Sequence, residues 1–105
     1  MAIKCQLVDP KEKRNMEPGD MWYTDPENVY VKRSLSDHYK NVVAKERPPI
    51  LVMPPGNLAF CVDWRSADGT PWEVTGEPPN LTVHPSIDAR PGWHGWLKNG
   101  ELTPA

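Results

Sequence analysis

Residues 77–102 read EPPNLTVHPSIDARPGWHGWLKNGEL and carry the strongest structural signals in the chain. Asn99-Gly100 is a hairpin signal, because both residues tolerate the positive φ angles of a tight type I′ turn. It predicts that a strand over 93–98 pairs with a strand over 101–103. The stretch therefore predicts an antiparallel sheet at the C-terminal end.

Outside this hairpin, alternating apolar residues or a short apolar run between prolines predict further strands. The predicted strands cover residues 3–8, 50–53, 58–64, 72–75 and 81–84, with a brief extended piece over 29–31. The loop 67–70 is short and contains an Asp-Gly pair, so we expect strands 58–64 and 72–75 to form a hairpin.

Residues 34–46 are predicted to form the one helix of the fold, with Ser34 as its N-cap. Arg47 precedes Pro48, and a residue before proline disfavours the helical conformation, so the helix should end there. An apolar stripe at helical spacing is expected to pack on the sheet: Leu35, Tyr39, Val42 and Val43.

The composition predicts a single domain spanning residues 1–105. Apolar content is 38%, yet five tryptophans supply large areas for burial, and 13 prolines restrict helix interiors and central strands. The predicted class is α+β, mainly β. We expect a small twisted antiparallel sheet with one packed helix at about residues 35–46 and long, ordered, Pro-rich loops.

The net charge of −2 argues against general binding to nucleic acid or to an anionic membrane, because both require a basic surface. No apolar run reaches the roughly 18 residues of a membrane span, and the first residues lack the apolar core of a signal peptide. We therefore expect a cytoplasmic protein whose Cys5 and Cys61 are reduced thiols.

Strand alternation also places polar side chains on the face opposite the expected core. The predicted outward set is Cys61, Asp63, His84, His94 and Trp96. If their strands are neighbours, these residues form one surface. Its expected binding residues are Asp63, His84, His94 and Trp96.

Metal binding is one alternative for this surface, because thiolate, imidazole and carboxylate groups are zinc ligands. The ligands would be His84, His94 and Cys61, but the chain has neither C-x-x-C nor H-E-x-x-H spacing. We therefore expect no metal and no cofactor. A small-molecule or metal-dependent site around His84 and His94 stays open as the alternative.

Nucleophilic catalysis would require Ser86 or Cys61 to act with a histidine. Ser86 lies in Pro-Ser-Ile without the G-x-S-x-G elbow, and we expect its hydroxyl to bond turn backbone. Cys61, inside an apolar strand, is expected to be a small packing residue. The sequence therefore favours binding over catalysis.

The two C-terminal tryptophans lie on opposite faces of their predicted strand. Trp93 is on the same face as Leu97, whereas Trp96 is on the same face as Lys98. Lysine avoids burial, so we predict that Trp93 is the more buried and that Trp96 is at least partly exposed beside His94.

Three segments resemble a family of small proteins of tailed phages and prophages. They are RPPILVMPPG (47–56), FCVDWRSADGTPWEVTGEPPNLTVHPSI (60–87) and WHGWLKNGEL (93–102). The shared motifs are Met-Trp near residue 21, Arg-Pro-Pro, Trp-x-Val-x-Gly-x-Pro-Pro, Pro-Ser-Ile and His-Gly-aromatic-Leu-x-Asn-Gly, covering roughly residues 19–102. The resemblance implies phage origin and an accessory role. A broader family with Cys-x-x-His near its end is more distantly similar, but Pro91 stands at the cysteine position, which weakens a metal site.

Three hypotheses follow for function. The favoured one is a non-enzymatic phage accessory protein that binds a host or phage protein in the host cytoplasm, such as a component of host defence. The second is the small-molecule or metal-dependent site, and the third is a structural component of the virion. A homo-oligomer is compatible with the first.

Overall fold

The computed structural model describes residues 2–13, 15–56, 58–65, 71–89 and 92–105, with Ala89 described by its backbone alone. Strands dominate these ranges, which confirms a mainly β fold. In chain order the elements are β1 (Ile3–Lys4), β2 (Gln6–Leu7), β3 (Asp20–Tyr23), α1 (Val29–Lys32), α2 (Asp37–Asn41), a 3₁₀ turn (Val43–Lys45), β4 (Ile50–Val52), β5 (Phe60–Cys61), β6 (Glu73–Thr75), β7 (Thr82–Ala89), β8 (Trp93–Lys98) and β9 (Glu101–Pro104).

Two sheets replace the single sheet that we expected. The C-terminal sheet has the strand order β1-β9-β8-β7-β6, and all its neighbouring strands are antiparallel. Its registers align one apolar row across all five strands: Ile3, Leu102, Leu97, Val83 and Val74. This row faces the core, because cross-strand partners project from the same side of a sheet.

The predicted β8–β9 hairpin is confirmed. Asn99 and Gly100 have φ angles of 47° and 73°, the left-handed values that a type I′ turn requires. The turn is also fixed from outside, because the Gly100 N–H donates to the Leu81 carbonyl and the Gly100 carbonyl accepts from Cys5 N–H.

The predicted strand 3–8 is divided between the two sheets. β1 pairs with β9, whereas β2 runs parallel to β3 in the second sheet, whose order is β2-β3-β4-β5. Cys5 lies buried at the crossing point. The bend breaks the alternation, so Leu7 is exposed instead of sharing a buried side with Cys5.

The predicted hairpin between 58–64 and 72–75 is wrong. β5 pairs with β4, and β6 pairs with β7, so the two segments belong to different sheets. The loop 67–70 lies outside the described residues. Within the described part, the segments on either side of this loop meet in an isolated bridge between Arg65 and Pro71.

The helical region is shorter and more broken than predicted. Residues 29–31, expected to be extended, belong to α1, whose first turn is capped by the Asn28 side chain. The predicted helix at about 35–46 begins only after Ser36, whose hydroxyl accepts from Tyr39 N–H, and it changes to a 3₁₀ turn after Val42. Consequently Tyr39 is buried but Val42 is exposed.

The core forms two layers. The larger cluster combines the inner faces of both sheets, with Met21, Ile50 and Phe60 on one side and Ile87, Trp93 and Leu97 on the other. The smaller cluster lies between the second sheet and the helices. It contains Val31, Leu35, Tyr39 and Cys61. The second sheet is therefore covered on both faces, whereas the outer side of the C-terminal sheet meets solvent.

Asp20 fixes the entry to β3 with a buried carboxylate. Its oxygens accept from Gln6 Nε2 at 2.9 Å, from Glu17 N–H at 2.8 Å and from Lys13 Nζ at 2.7 Å. Burial raises the pKa of the Asp20 carboxyl, but these three donors outweigh that effect and hold it below its ordinary value. Asp20 therefore anchors the loop before β3.

Candidate functional site

The outer face of the C-terminal sheet presents three of the five residues predicted for a site: His84, His94 and Trp96. Along β8, Trp93, Gly95 and Leu97 are buried, while the residues between them are half-buried or exposed. This alternation follows from the pleat of a strand with one covered face. We define the outer face by its projecting residues: Thr82, His84, Ser86, Asp88, His94, Trp96, Lys98, Glu101 and Thr103.

Trp96 is the large aromatic residue of the outer face. It is 36% exposed, against 8% for Trp93, which confirms the predicted difference between the two tryptophans. The Lys98 ammonium lies 5.7 Å from the centre of the Trp96 ring, within the range of a cation–π interaction. The ring is thus held on the sheet with part of its surface in water.

His94 is half-buried beside Trp96 on β8. Its Nε2 lies 3.4 Å from Ser86 Oγ on β7, and Asp88 is its directly opposite partner across the strands. Ser86 was expected to bond turn backbone. It lies instead in a strand, because β7 continues through the Pro-Ser-Ile segment.

His84 is exposed and lies opposite Glu73 of β6. Val83 is opposite Leu97, so the next outward residues of β7 and β8 are His84 and Trp96. His94 stands opposite Asp88 instead. The two histidines therefore share the outer face but belong to different cross-strand rows.

Asp63 and Cys61 do not join this face, contrary to expectation. Cys61 lies in β5 of the second sheet, on the side that the helices cover, and Asp63 lies in the turn that follows β5. Cys61 is fully buried and Asp63 is 5% exposed. The predicted site set is therefore divided between two surfaces of different sheets.

Asp63 has a structural partner in Arg47. The two guanidinium nitrogens of Arg47 donate to the two carboxylate oxygens at 2.8 and 2.9 Å, and Ile50 N–H donates to the same carboxylate at 3.1 Å. The Tyr39 hydroxyl donates to the Arg47 carbonyl at 2.8 Å. This bidentate pair joins a buried carboxylate to a half-buried guanidinium, and it fixes the segment before β4 to the turn after β5.

The two thiols are poor nucleophiles and poor metal ligands. Burial raises the pKa of Cys61 to about 12 and the pKa of Cys5 to about 11, so both thiols stay protonated near neutral pH. Among the described residues, no three His, Cys, Asp or Glu side chains converge as a metal site would require.

An apolar groove that the sequence pattern did not predict lies beside the second sheet. It encloses about 460 Å³ at the end of β2, between the Leu7 and Tyr23 side chains, and its remaining walls are Val8, Asp9, Pro10 and Lys11. Only the break in strand 3–8 turns Leu7 outward, and the alternation gave no sign of that break.

No known protein family, curated protein or solved structure matches this chain. None of the helices in the described ranges combines the length and the apolar character that crossing a membrane requires.

Proposed function

We propose that this protein is a phage-encoded accessory protein that acts by binding a host or phage protein in the host cytoplasm. A component of host defence is the kind of partner that such a role implies. The sequence resemblance supports the phage origin of the protein, and the outer face is its proposed binding surface. The observation that carries it is the exposed Trp96 at the middle of that face.

The position of Trp96 suits an anchor for a partner. β8 is the third of five strands, so Trp96 projects from the centre of the sheet. Tryptophan is enriched among the residues that dominate binding energy, and such residues cluster near the centre of interfaces. A strand paired on both sides also holds the ring in place, so little conformational freedom is lost on binding.

The charges around Trp96 favour a protein as the partner. Lys4 lies opposite Glu101, and Glu101 lies opposite Lys98, so charges alternate in sign across three strands. A nucleic acid or anionic membrane would require a basic stripe instead. A mixed polar rim around an aromatic residue is typical of protein interfaces.

Site-specific photocrosslinking tests the proposal. A photoreactive phenylalanine derivative is placed at position 96 or, as the matched control, at Tyr30. Tyr30 is also an exposed aromatic with a basic side chain over its ring, since Arg33 lies 5.8 Å away, but it belongs to the helical layer. In infected cells, we expect a specific protein adduct from position 96 and none from position 30.

The affinity of the captured protein for purified variants is then measured. Trp96→Ala should weaken binding by at least about 30-fold, the loss of a hot-spot residue worth about 2 kcal/mol, and Tyr30→Ala should not. Equal adducts from both positions, or unchanged affinity for Trp96→Ala, would refute the outer face as the binding surface.

A further inference from the structure

Ser86 and His94 form a polar pair on the outer face that the proposed binding role does not use. Ser86 Oγ and His94 Nε2 are 3.4 Å apart, and both residues are half-buried. A serine hydroxyl beside an imidazole nitrogen is the arrangement of a nucleophile and its base. In structures without substrate such contacts are often longer than in the reacting complex.

A bulge in β7 changes the direct cross-strand partner of His94 from Ser86 to Asp88. Val83 pairs with Leu97 and Ile87 with Gly95, so three residues of β7 span the distance that Trp96 alone spans on β8. Without the two additional residues, the register of Val83 with Leu97 would place Ser86 directly opposite His94. With them, Asp88 takes that position while Ser86 keeps its contact with His94, so two polar residues of β7 flank one imidazole. Bulges are over-represented next to active sites.

Asp88 adds a carboxylate next to His94. The two residues are direct cross-strand partners and project from the same face. Side chains in such a pair start about 4.5–5.5 Å apart at their Cβ atoms. A carboxylate at that range can orient the imidazole, as a third residue does in serine hydrolases.

We propose that Ser86 and His94 act as nucleophile and base towards carboxylic esters, with Asp88 as a positioning residue. His94 Nε2 accepts the Ser86 proton while Oγ forms a bond to the ester carbonyl carbon. The bond to the alcohol oxygen then breaks, and the alcohol leaves with the proton from His94.

Water completes the reaction. It attacks the acyl-serine carbonyl carbon while His94 accepts its proton, and the acyl–Oγ bond breaks as that proton passes to Oγ. The products are a free carboxylic acid and the original hydroxyl. Trp96 lies two residues from His94 on the same face, so its ring offers apolar surface to an aromatic or short acyl group. Carboxylic esters with an aromatic or short acyl group are therefore the substrate class.

The test uses p-nitrophenyl acetate with the full chain. We expect a burst of p-nitrophenolate stoichiometric with protein, and peptide mass spectrometry should place the acetyl group on Ser86. Ser86→Ala should abolish the burst, whereas Ser34→Ala, the control serine, should keep it. His94→Gln should slow acylation on the order of 100-fold, as loss of a general base does. His38→Gln, which changes an exposed control histidine in α2, should not.

Further variants separate chemistry from folding. Circular dichroism melts establish that each variant is folded. If Ser86→Ala does not fold, Ser86→Cys replaces it, and the acetyl group should then appear as a hydroxylamine-sensitive thioester at residue 86. Asp88→Asn should slow acylation, and Asp88→Glu should restore part of the rate.

Other outcomes overturn the proposal. They are a burst retained in folded Ser86→Ala, acetyl groups only on lysine or histidine, or no burst above that of buffer. The binding role is tested separately, because a Trp96→Ala variant that loses its partner but keeps Ser86 acylation would leave this inference standing.

Discussion

Replacing Trp93 by alanine tests the register of β8, on which the outer face depends. Trp93 is 8% exposed, so the substitution removes nearly all of a buried indole. An aromatic side chain buries about 150–250 Å², which at about 25 cal/mol/Å² corresponds to about 4–6 kcal/mol. Measured truncations of core aromatics cost about 3–5 kcal/mol. We therefore expect the free energy of unfolding to fall by about 4 kcal/mol.

The surroundings of Trp93 argue against relaxation of the cavity. The Trp93 ring covers Gly95, where a Cβ would collide with the ring and with the Thr103 carbonyl. Gly95 has no side chain that could fill the space left by the indole. The cost should therefore lie within the range for core truncations and not below it.

Trp96→Ala is the matched control, since it removes the same side chain three residues away. Contacts on the exposed face of a sheet contribute about 0.2–1 kcal/mol each, so we expect a loss of about 1 kcal/mol. Urea denaturation followed by circular dichroism measures both variants. With an m-value of about 2 kcal/mol/M, the midpoint should fall by about 2 M for Trp93→Ala and about 0.5 M for Trp96→Ala.

The reverse order of stability would refute the reasoning. If Trp96→Ala unfolded the protein and Trp93→Ala did not, the faces of β8 would be exchanged. Trp96 and His94 would then face the core. The proposed binding surface and the Ser86–His94 pair would both be withdrawn, because each depends on the same alternation.

Three further predictions concern buried polar groups and close packing. Asp63→Asn removes a buried carboxylate from half-buried Arg47 and should cost about 3 kcal/mol in urea denaturation, whereas an unchanged midpoint would contradict a structural role. Gly95→Ala forces a methyl group against Trp93 and should cost about 1–3 kcal/mol, seen as a lower Tm. The pKa of Asp20 is lowered on folding, so its contribution is present above its unfolded pKa of about 3.9 and is lost as pH falls through the lower folded value. Asp20→Asn should therefore weaken the loss of stability on acidification, and an unchanged acid profile would contradict this.

Local signals explain what the sequence predicted correctly about the C-terminal sheet. The Asn99-Gly100 turn requires two adjacent left-handed residues, which few other pairs supply, so it could be recognised without tertiary information. The burial of Trp93 on the face opposite Lys98 could be predicted from strand alternation and from the cost of burying lysine alone. Both features lie within one hairpin.

The wrong predictions concern segments whose structure depends on distant parts of the chain. Residues 58–64 and 72–75 look like a hairpin, but their partners β4 and β7 are supplied by other parts of the chain. The expected helix at 35–46 is broken at Val42, because its backbone leaves the helical region at φ −120°. A continuous apolar stripe does not reveal such a break.

The predictions for the candidate site were also right where they depended on strand alternation and wrong where they depended on distant segments. Alternation placed Cys61 and Asp63 on the side opposite Phe60, and it did the same for His94 and Trp96 relative to Leu97. It could not show that helices cover the first side and that solvent meets the second. The Ser86–His94 contact was also hidden, because it depends on the pairing of β7 with β8, and the bulge that places Asp88 opposite His94 is visible only from that register.

By itself, the sequence determined a mainly β fold, the final hairpin and which side chains alternate along each strand, because these depend on neighbours a few residues away. Tertiary structure alone decided the number of sheets, the division of strand 3–8 and the exposure of each face. Those properties depend on which distant segments supply the missing hydrogen bonds and cover the apolar surfaces. The proposed binding face exists because the described fold packs the second sheet over the inner side of β8 and leaves its outer side to solvent.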